Sequence, residues 1–367
     1  MRFTCTQLAL SKAINTVSRA VSSRTTIPVL KGILLSVEDG RLTLSASDLD
    51  LSIDTSIDVQ ASEEGKAVVM AKLFGEIIRK LPNSIISISL EEGKLNIQCL
   101  GSSFSIVTLP ADEFPVIGNT GNNEFIEIGK EELSSLIRKT VFAASIDEKK
   151  GVLTGALMNF ENCNLEMVAL DGFRMAVANK PVDADILKRV IVPARILSEI
   201  NKIISEDEGS GEVSLSIEDK KIEILTEDTR VIARLLEGEF IKYREIIPAN
   251  WKTKVIAGRE DLLNSIERAS LLAKEGKNNL VKFDIKDGNI VISSRSEEGM
   301  VNETVSADIE GDDLVIGFNS KYILDVLKSV GDDEVKMELG TSVSSCLIKP
   351  VEGNEYTYLV LPVRMNG

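Results

Sequence analysis

The stretch KLFGEIIR at residues 72–79 places a base, an acid four positions later and a second base three positions after that. The same charge order returns in RILSEINK at 195–202 and in KYILDVLK at 321–328. Because the copies begin 123 and 126 residues apart, the 367 residues are typical of one unit of about 120 residues used three times. Positions 0, +4 and +7 share one face of a helix, so we expect each copy to present two bases and an acid outward.

A second amphipathic helix recurs in register with the first. Its apolar pairs are Leu10 and Ile14, Leu133 and Ile137, and Leu262 and Ile266. In the first charge-patterned helix, the apolar stripe consists of Leu73, Ile77 and Leu81. Two markers that repeat together predict that each unit packs two helices against the rest of its domain.

The segments between the helices alternate apolar and polar residues, as in RLTLSAS at 41–47. Hairpin turn signals separate such segments, for example EDG at 38–40 and KDG at 286–288. Alternation indicates sheets that are solvated on one face. We therefore predict an α+β fold of three tandem repeats, each with two helices packed on antiparallel sheets. The expected domains are residues 1–122, 123–249 and 250–367.

Histidine is absent from the chain, which removes the commonest general base and metal ligand. No Gly-x4-Gly-Lys-Ser/Thr loop occurs, and the single Gly-x-Gly, Gly209 to Gly211, lies in an acidic turn without the third glycine. These absences predict a non-catalytic protein that requires no cofactor.

Two further groups contain residue types that can bind metal ions, namely aspartates and cysteines. Asp48 and Asp50 alternate with Leu49 and Leu51, which is typical of a half-exposed strand. Four cysteines lie far apart in strand-like contexts, so we expect buried, reduced thiols. These are Cys5, Cys99, Cys163 and Cys346. No metal site is predicted.

No apolar run approaches the ~20 residues of a membrane-spanning helix, and the amino terminus lacks a basic segment followed by an apolar one. We therefore expect a cytoplasmic protein without a membrane partner.

Charge is divided unequally along the chain. The net charge is -15, yet the six predicted helical segments together carry +8, which leaves -23 for the rest. Bases clustered on helices attract phosphate without reading sequence, while an acidic remainder repels a polyanion elsewhere. The pattern favours a protein that holds DNA loosely on one surface, although each single base could also be an ordinary solvated helix position.

Several short motifs carry a resemblance to a known family. They are TIPVL at 26–30, ASDL at 46–49, LPA at 109–111, DGFRM at 171–175 and LVLPVR at 359–364. Together they resemble the bacterial DNA sliding clamp, the beta subunit of DNA polymerase III. The resemblance implies a ring of two head-to-tail chains, with six domains and twelve helices around duplex DNA. It also implies an outside clamp loader that uses ATP, and no cofactor in the clamp itself.

The resemblance assigns sequence-independent DNA contact to bases on the lining helices. They are Lys12, Arg24, Lys72, Arg79, Lys80, Arg138, Lys139, Arg195, Lys202, Lys321 and Lys328. Retention on DNA would then come from the closed ring, so weak contacts would favour sliding.

A second implied site is a cleft that binds peptides of the replicative DNA polymerase, the clamp loader and other clamp-binding proteins. It would be an apolar groove with an Arg rim. Its residues would be Leu153, Leu170, Gly172, Phe173, Arg174, Met175, Ile241, Ile246, Leu361, Pro362, Val363, Arg364 and Met365. Leu170 and Phe173 replace a Thr and a His that are frequent in the family, which implies a bulkier and more apolar pocket.

The homodimer contact of the family is expected at Phe104 and Ile106 on one strand and at Leu271 and Leu272 near a helix end. Unpaired, that strand would be an aggregation-prone edge, and pairing with the partner chain would remove it. The alternative function is a repeat-built adaptor that binds peptides without encircling DNA. Bases at the same helical positions in all three units favour the DNA tether.

Overall fold

The computed structural model describes all residues except 23–24, 116–117, 119–123, 208–210, 219 and 366–367. In this part of the chain there are six α-helices. They are α1 (Gln7–Val17), α2 (Ala71–Lys80), α3 (Lys130–Thr140), α4 (Ala194–Glu206), α5 (Arg259–Ala273) and α6 (Ser320–Ser329).

The strands show the same threefold order as the helices. The first repeat contains β1 (Arg2–Thr6), β2 (Gly32–Glu38), β3 (Arg41–Ser47), β4 (Leu51–Asp58), β5 (Gln60–Glu63), β6 (Gly65–Met70), β7 (Ile85–Glu91), β8 (Lys94–Cys99) and β9 (Ser102–Val107). The second contains β10 (Ile126–Gly129), β11 (Gly155–Glu161), β12 (Asn164–Leu170), β13 (Arg174–Pro181), β14 (Lys188–Pro193), β15 (Glu212–Ile217), β16 (Lys221–Leu225) and β17 (Thr229–Arg234). The third contains β18 (Thr253–Gly258), β19 (Leu280–Lys286), β20 (Asn289–Ser296), β21 (Gly299–Gly311), β22 (Leu314–Asn319), β23 (Glu334–Leu339), β24 (Cys346–Lys349) and β25 (Tyr356–Val360).

The second and third repeats both run strand, helix, four strands, helix, three strands. The first repeat differs by one extra strand, because a break at Val59 separates β4 from β5. The described strand pairs are antiparallel, for example β2 with β3 and β19 with β20. The predicted α+β fold of three tandem domains is therefore confirmed.

Packing divides the chain into two compact units. The first unit comprises residues 1–130 and 199–235, and the second comprises residues 131–198 and 236–367. The first contains a five-stranded sheet in the order β5-β1-β7-β8-β9 and an eight-stranded sheet in the order β10-β15-β16-β17-β4-β3-β2-β6. The second contains a twelve-stranded sheet in the order β14-β11-β12-β13-β25-β24-β23-β18-β21-β20-β19-β22. Strands of different repeats thus share a sheet within each unit.

The helices cover these sheets with the apolar faces that the sequence predicts. Each predicted pair on α1, α3 and α5 is at most 2% exposed, and burial of such a side chain contributes roughly 1.5–3 kcal/mol. On α2, Ile77 and Leu81 are buried, but Leu73 is 49% exposed. Phe74, which is 0% exposed, faces the core instead, so the predicted stripe is wrong at Leu73.

The predicted hairpin turns are confirmed at both sites. Asp39 and Gly40 have φ of 48° and 75°, and Asp287 and Gly288 have φ of 50° and 72°. Two consecutive left-handed residues give a turn whose twist matches the flanking strands.

Asp48 and Asp50 lie in a turn between β3 and β4, and not in a strand as predicted. The Asp48 carboxylate accepts the backbone N–H of Asp50 at 3.1 Å and that of Leu51 at 2.7 Å. Leu49 adopts φ of 79° there. The described residues contain no group of three or more Cys, Asp or Glu side chains arranged to hold a metal ion.

Three of the four cysteines are buried as expected, namely Cys5, Cys99 and Cys346. Burial raises the pKa of the Cys5 thiol to about 12. Cys163 is exposed, because it occupies a hairpin turn with φ of 54°, and the prediction of burial is wrong for it. Among the described residues, no helix combines the length and the apolarity needed to span a bilayer.

Candidate functional site

The repeated charge pattern lies on α2, α4 and α6, one helix for each repeat. All six of its bases have exposed side chains: Lys72, Arg79, Arg195, Lys202, Lys321 and Lys328. The opposite helix faces are buried through Phe74 and Ile78, Ile196 and Ile200, and Ile323 and Leu327. The bases therefore point outward in every copy.

The acid of the pattern behaves differently from copy to copy. Glu76 is exposed, whereas Glu199 is 20% exposed and Asp325 is 27% exposed. The Glu199 carboxylate accepts Lys202 Nζ at 2.9 Å and Arg19 Nη1 at 3.2 Å. The expected outward acid is thus wrong for Glu199 and Asp325, because ion pairs within the fold occupy both.

Arg19 connects the end of α1 to α4 inside the first unit. Its Nη2 donates to Glu206 Oε1 at 2.6 Å, in addition to the contact with Glu199. Burial raises the pKa of Glu199, but hydrogen bonds from Lys202 and Arg19 outweigh it, and the net pKa lies below the usual value. The carboxylate therefore stays ionised and holds the two helices together.

Three further bases from the sequence prediction are exposed, namely Lys12 on α1, Lys80 on α2 and Arg138 on α3. Arg24 lies outside the described residues. Within the first unit, α1 packs against α2 at Gly75, where an added Cβ would lie 3.3 Å from Ile14 Cγ2.

Lys139 is placed differently from the other predicted bases. Its side chain is 14% exposed, and its Nζ lies 3.6 Å from Glu355 Oε2 and 5.2 Å from the centre of the Tyr356 ring. The ammonium is therefore held by the second unit's own residues. Lys328 is also paired, with Glu267 at 2.7 Å, but its side chain remains 54% exposed.

The predicted peptide cleft falls in the second unit, beside the strands β12, β13 and β25. A buried cluster forms its floor: Leu157, Val168, Leu170, Met175, Val177, Ile191, Phe240, Tyr243, Leu347 and Leu359. Four apolar side chains next to these residues remain exposed, Phe173 by 55%, Ile241 by 42%, Ile246 by 50% and Leu361 by 40%. Large apolar side chains held exposed beside a continuous core are typical of a docking surface.

The carboxy-terminal segment forms one wall of the cleft. The Leu361 N–H donates to Phe173 O at 2.9 Å, and the Val363 N–H donates to Gly317 O at 2.8 Å. Leu153, Pro362, Val363 and Met365 are half-buried, and Arg364 is exposed. All thirteen predicted cleft residues belong to this unit, with Leu170 and Met175 in the floor.

A tight turn presents Phe173 to the cleft. The Asp171 carboxylate accepts the backbone N–H of Phe173 at 2.9 Å and that of Arg174 at 3.1 Å. Gly172 has φ of 94°, a left-handed conformation that glycine adopts without a steric cost. Lys150 Nζ donates to Asp171 O at 2.6 Å.

Arg174 is buried beneath this turn and does not form a rim. Its side chain is 7% exposed and contacts Asp171 Oδ2 at 3.1 Å, Asp325 Oδ2 at 2.5 Å and Phe142 O at 2.6 Å. The guanidinium also lies 4.7 Å from the centre of the Tyr322 ring. The predicted Arg rim is therefore wrong for Arg174, because each of its three guanidinium nitrogens donates to an acceptor inside the fold, while the exposed Arg364 fits it.

A contact between distant parts of the chain, which no sequence pattern predicted, fixes the segment between Ile241 and Ile246. The buried Tyr243 hydroxyl donates to Glu166, and Arg244 Nη2 lies 2.8 Å from Glu166 Oε1. Burial, together with the hydrogen bond to Glu166, raises the pKa of Tyr243. No local sequence pattern predicts this contact, because Glu166 lies 77 residues from Tyr243 in sequence.

Two of the four predicted dimer residues, Phe104 and Leu271, have exposed side chains. In the first unit, β9 pairs with β8 on one side only, and its Phe104 is 40% exposed while Ile106 is 9% exposed. In the second unit, Leu271 on α5 is 66% exposed and Leu272 is half-buried. Residues 299–306 of β21 pair with β20 alone among the described strands, since β18 pairs with residues 307–311.

Comparison with known proteins accounts for the whole chain. Models of the DNA polymerase III beta subunit match its N-terminal domain at residues 1–118, its central domain at 127–242 and its C-terminal domain at 244–364. The beta sliding clamp of Bacillus subtilis is 35% identical, covering 99% of this chain and 100% of that protein. That of Staphylococcus epidermidis is 32% identical, covering 99% of each. The crystal structure of a Bacillus subtilis sliding clamp superposes with a TM-score of 0.95 over 100% of both chains at 34% identity.

Proposed function

Because the chain belongs to the DNA polymerase III beta subunit family, we propose that two copies close head to tail into a ring around duplex DNA. Its function is that of a DNA polymerase processivity factor, a non-catalytic sliding clamp with DNA and clamp-binding proteins as partners. We take its three domains to span 1–122, 123–249 and 250–367. Retention on DNA then depends on the closed ring, so each DNA contact can be weak.

The repeated basic face carries this proposal. Six bases at the same helical positions of α2, α4 and α6 are exposed, while the chain as a whole carries -15. An adaptor that only bound peptides would gain nothing from bases at matching positions in every repeat. Exposed lysines and arginines contact phosphates without reading bases, which suits a protein that must slide.

Charge reversal on this face provides the test. We expect the triple variant Arg79→Glu, Lys202→Glu, Lys328→Glu to bind duplex DNA more weakly at every salt concentration. The slope of log affinity against log salt should fall by about one for each lost phosphate contact. Fluorescence anisotropy with a labelled duplex measures both quantities.

A control with the same charge change separates this effect from bulk charge. Lys66, Lys188 and Lys252 are exposed and lie outside the helices, and their triple change to Glu should leave the salt slope nearly unchanged. Equal losses in the two triple variants would contradict the proposed DNA-facing surface. Release of the loaded protein when circular DNA is linearised tests the ring separately.

The apolar cleft of the second unit is our proposed docking site for short peptides of the replicative DNA polymerase, the clamp loader and other clamp-binding proteins. Phe173 and Leu361 are its exposed apolar anchors, and Arg364 supplies a basic rim. The double variant Phe173→Ala, Leu361→Ala should weaken binding of an apolar-anchored peptide by at least about tenfold. Leu100→Ala, at a side chain 77% exposed in the first unit, is the control and should not change it.

Strand pairing between copies explains the two open edges. β9 of one chain would pair with residues 299–306 of β21 in the partner, which removes both exposed edges. Glu303 would not leave a charge unpaired there, because Arg268 binds it at 2.9 and 2.6 Å. A cytoplasmic location is part of this proposal, since the DNA and the loader are found there.

A further inference from the structure

A second cleft lies in the first unit, at the turn that joins β3 to β4. Its lining includes the apolar residues Leu49, Pro115 and Ile232, the acid Asp50, and the bases Lys220, Lys221 and Arg234. Leu49 is 60% exposed, whereas Ile232 is 6% exposed. The cleft therefore combines an apolar wall with charged residues, and the DNA and dimer surfaces proposed above do not use it.

The turn of this cleft has the same backbone framework as the turn that presents Phe173. Asp48 accepts the N–H groups two and three residues on, at 3.1 and 2.7 Å, as Asp171 does at 2.9 and 3.1 Å. Leu49, with φ of 79°, occupies the place of Gly172, with φ of 94°. A non-glycine residue in this conformation is uncommon and is a sign of local strain.

The neighbouring strand extends the equivalence. The Arg234 N–H donates to Asp50 O at 2.8 Å, as the Leu361 N–H donates to Phe173 O at 2.9 Å. Arg234 is therefore equivalent in position to Leu361 of the apolar cleft, and Asp50 is equivalent to Phe173. The same backbone framework of turn and neighbouring strand therefore occurs in both units. The neighbouring strand carries a basic side chain, Arg234, in the first unit and an apolar one, Leu361, in the second.

Two of the three bases in the lining of this cleft oppose each other across neighbouring strands. Lys221 on β16 and Arg234 on β17 are direct cross-strand partners, and both side chains are exposed. Directly opposed like charges destabilise a sheet. An external anion between them would remove this repulsion.

We propose that this cleft docks a short, extended, acidic peptide segment. An apolar side chain of the segment packs on Leu49, Pro115 and Ile232, and its carboxylates bind Lys221 and Arg234. A nucleic acid fits less well, because the described lining residues include no aromatic ring for base stacking and the Asp50 carboxylate would repel phosphate. The choice of a peptide as ligand rests on the proposed role of the apolar cleft in the second unit.

The test uses the full chain and a fluorescein-labelled seven-residue peptide with one leucine followed by four aspartates. We expect anisotropy to show binding that is about tenfold weaker in Arg234→Glu than in the wild type. This variant turns the opposed bases into a cross-strand ion pair, so it should fold at least as well. Lys66→Glu makes the same charge change elsewhere in the first unit and should alter the affinity less than about twofold.

Three outcomes would overturn the proposal. The wild type could bind the aspartate peptide no more tightly than a peptide with lysines in those positions. Lys66→Glu could weaken binding as much as Arg234→Glu, which would indicate bulk charge alone. Finally, Leu361→Ala could abolish binding while Arg234→Glu does not, which would assign the peptide to the apolar cleft and leave the proposed function intact.

Discussion

Arg174 belongs to the proposed peptide-binding surface by supporting it from beneath. Its guanidinium satisfies two carboxylates and a backbone carbonyl, and those three acceptors come from Asp171, Asp325 and Phe142. Removing one member of a buried ionic network destabilises the folded protein by more than the intact network stabilises it, because the remaining groups stay desolvated and unpaired. The turn that carries Phe173 therefore depends on Arg174.

We expect Arg174→Ala to lower the free energy of unfolding of the second unit by about 3–5 kcal/mol. The single tryptophan, Trp251, lies in that unit, so denaturation followed by its fluorescence reports the change. Arg364→Ala is the matched control, because the exposed Arg364 has no such network, and its effect should stay within about 0.5 kcal/mol. Equal stability of the two variants would show that the buried contacts do not support the fold.

At the scale of the helices, an ion pair gives the first unit a defined pH dependence. Glu199 has a lowered pKa because Lys202 and Arg19 donate to it against the opposing effect of burial. A carboxylate with a lowered folded-state pKa adds stability above its unfolded pKa of about 4.3, and this is lost as the pH falls through the folded value. The loss should therefore occur below about pH 4.3.

We expect Glu199→Gln to reduce stability at neutral pH by about 1 kcal/mol or less, because the pair is partly solvated, and to flatten the profile below about pH 4.3. Hydrogen exchange of the α4 amides between pH 6 and 3 measures this. Glu76→Gln changes the same motif position on α2, where the exposed side chain has no described ion pair to lose. A profile that flattens equally in both variants would assign the effect to charge in general.

The elements were predictable where their signals are local. The 3.6-residue stripes placed Leu10, Ile14 and their counterparts in the core, and the Asp-Gly turns fixed two hairpins. Contacts between distant segments left no such signal: Asp325 meets Arg174 from 151 residues away, and Glu199 meets Arg19 from 180. For that reason the family motifs led to a prediction of the cleft residues, but no sequence signal indicated the burial of Arg174 or the ion pairs that draw Glu199 and Asp325 away from the basic face.

Across the whole molecule, the end of the first helix in one repeat meets the second helix of the next. Arg19 follows α1 and pairs with Glu199 on α4 in the first unit. At the equivalent place after α3, Phe142 contacts Arg174, which binds Asp325 on α6 in the second unit. The third copy of this position is Leu271 on α5, and its side chain is 66% exposed.

A second copy of the chain would supply the missing helix. α2 is the remaining second helix, and its Leu73 matches Ile196 on α4, which is 1% exposed, yet Leu73 is 49% exposed. The repeat therefore predicts that Leu73 and the partner's α5 cover each other, a contact that the sequence analysis did not name for Leu73. The same rule that joins repeats within the chain would then join two chains head to tail.

We expect Leu73→Asp and Leu271→Asp each to raise the dimer dissociation constant by at least about 100-fold, because each buries an unpaired carboxylate. Light scattering should show the mass fall from twice 40.0 kDa to 40.0 kDa. Leu187→Asp, at a side chain 79% exposed outside these helices, should remain dimeric. If Leu271→Asp dissociates while Leu73→Asp stays dimeric, α2 does not cover the partner's α5. The helix packing between repeats of one chain would then not recur between two chains.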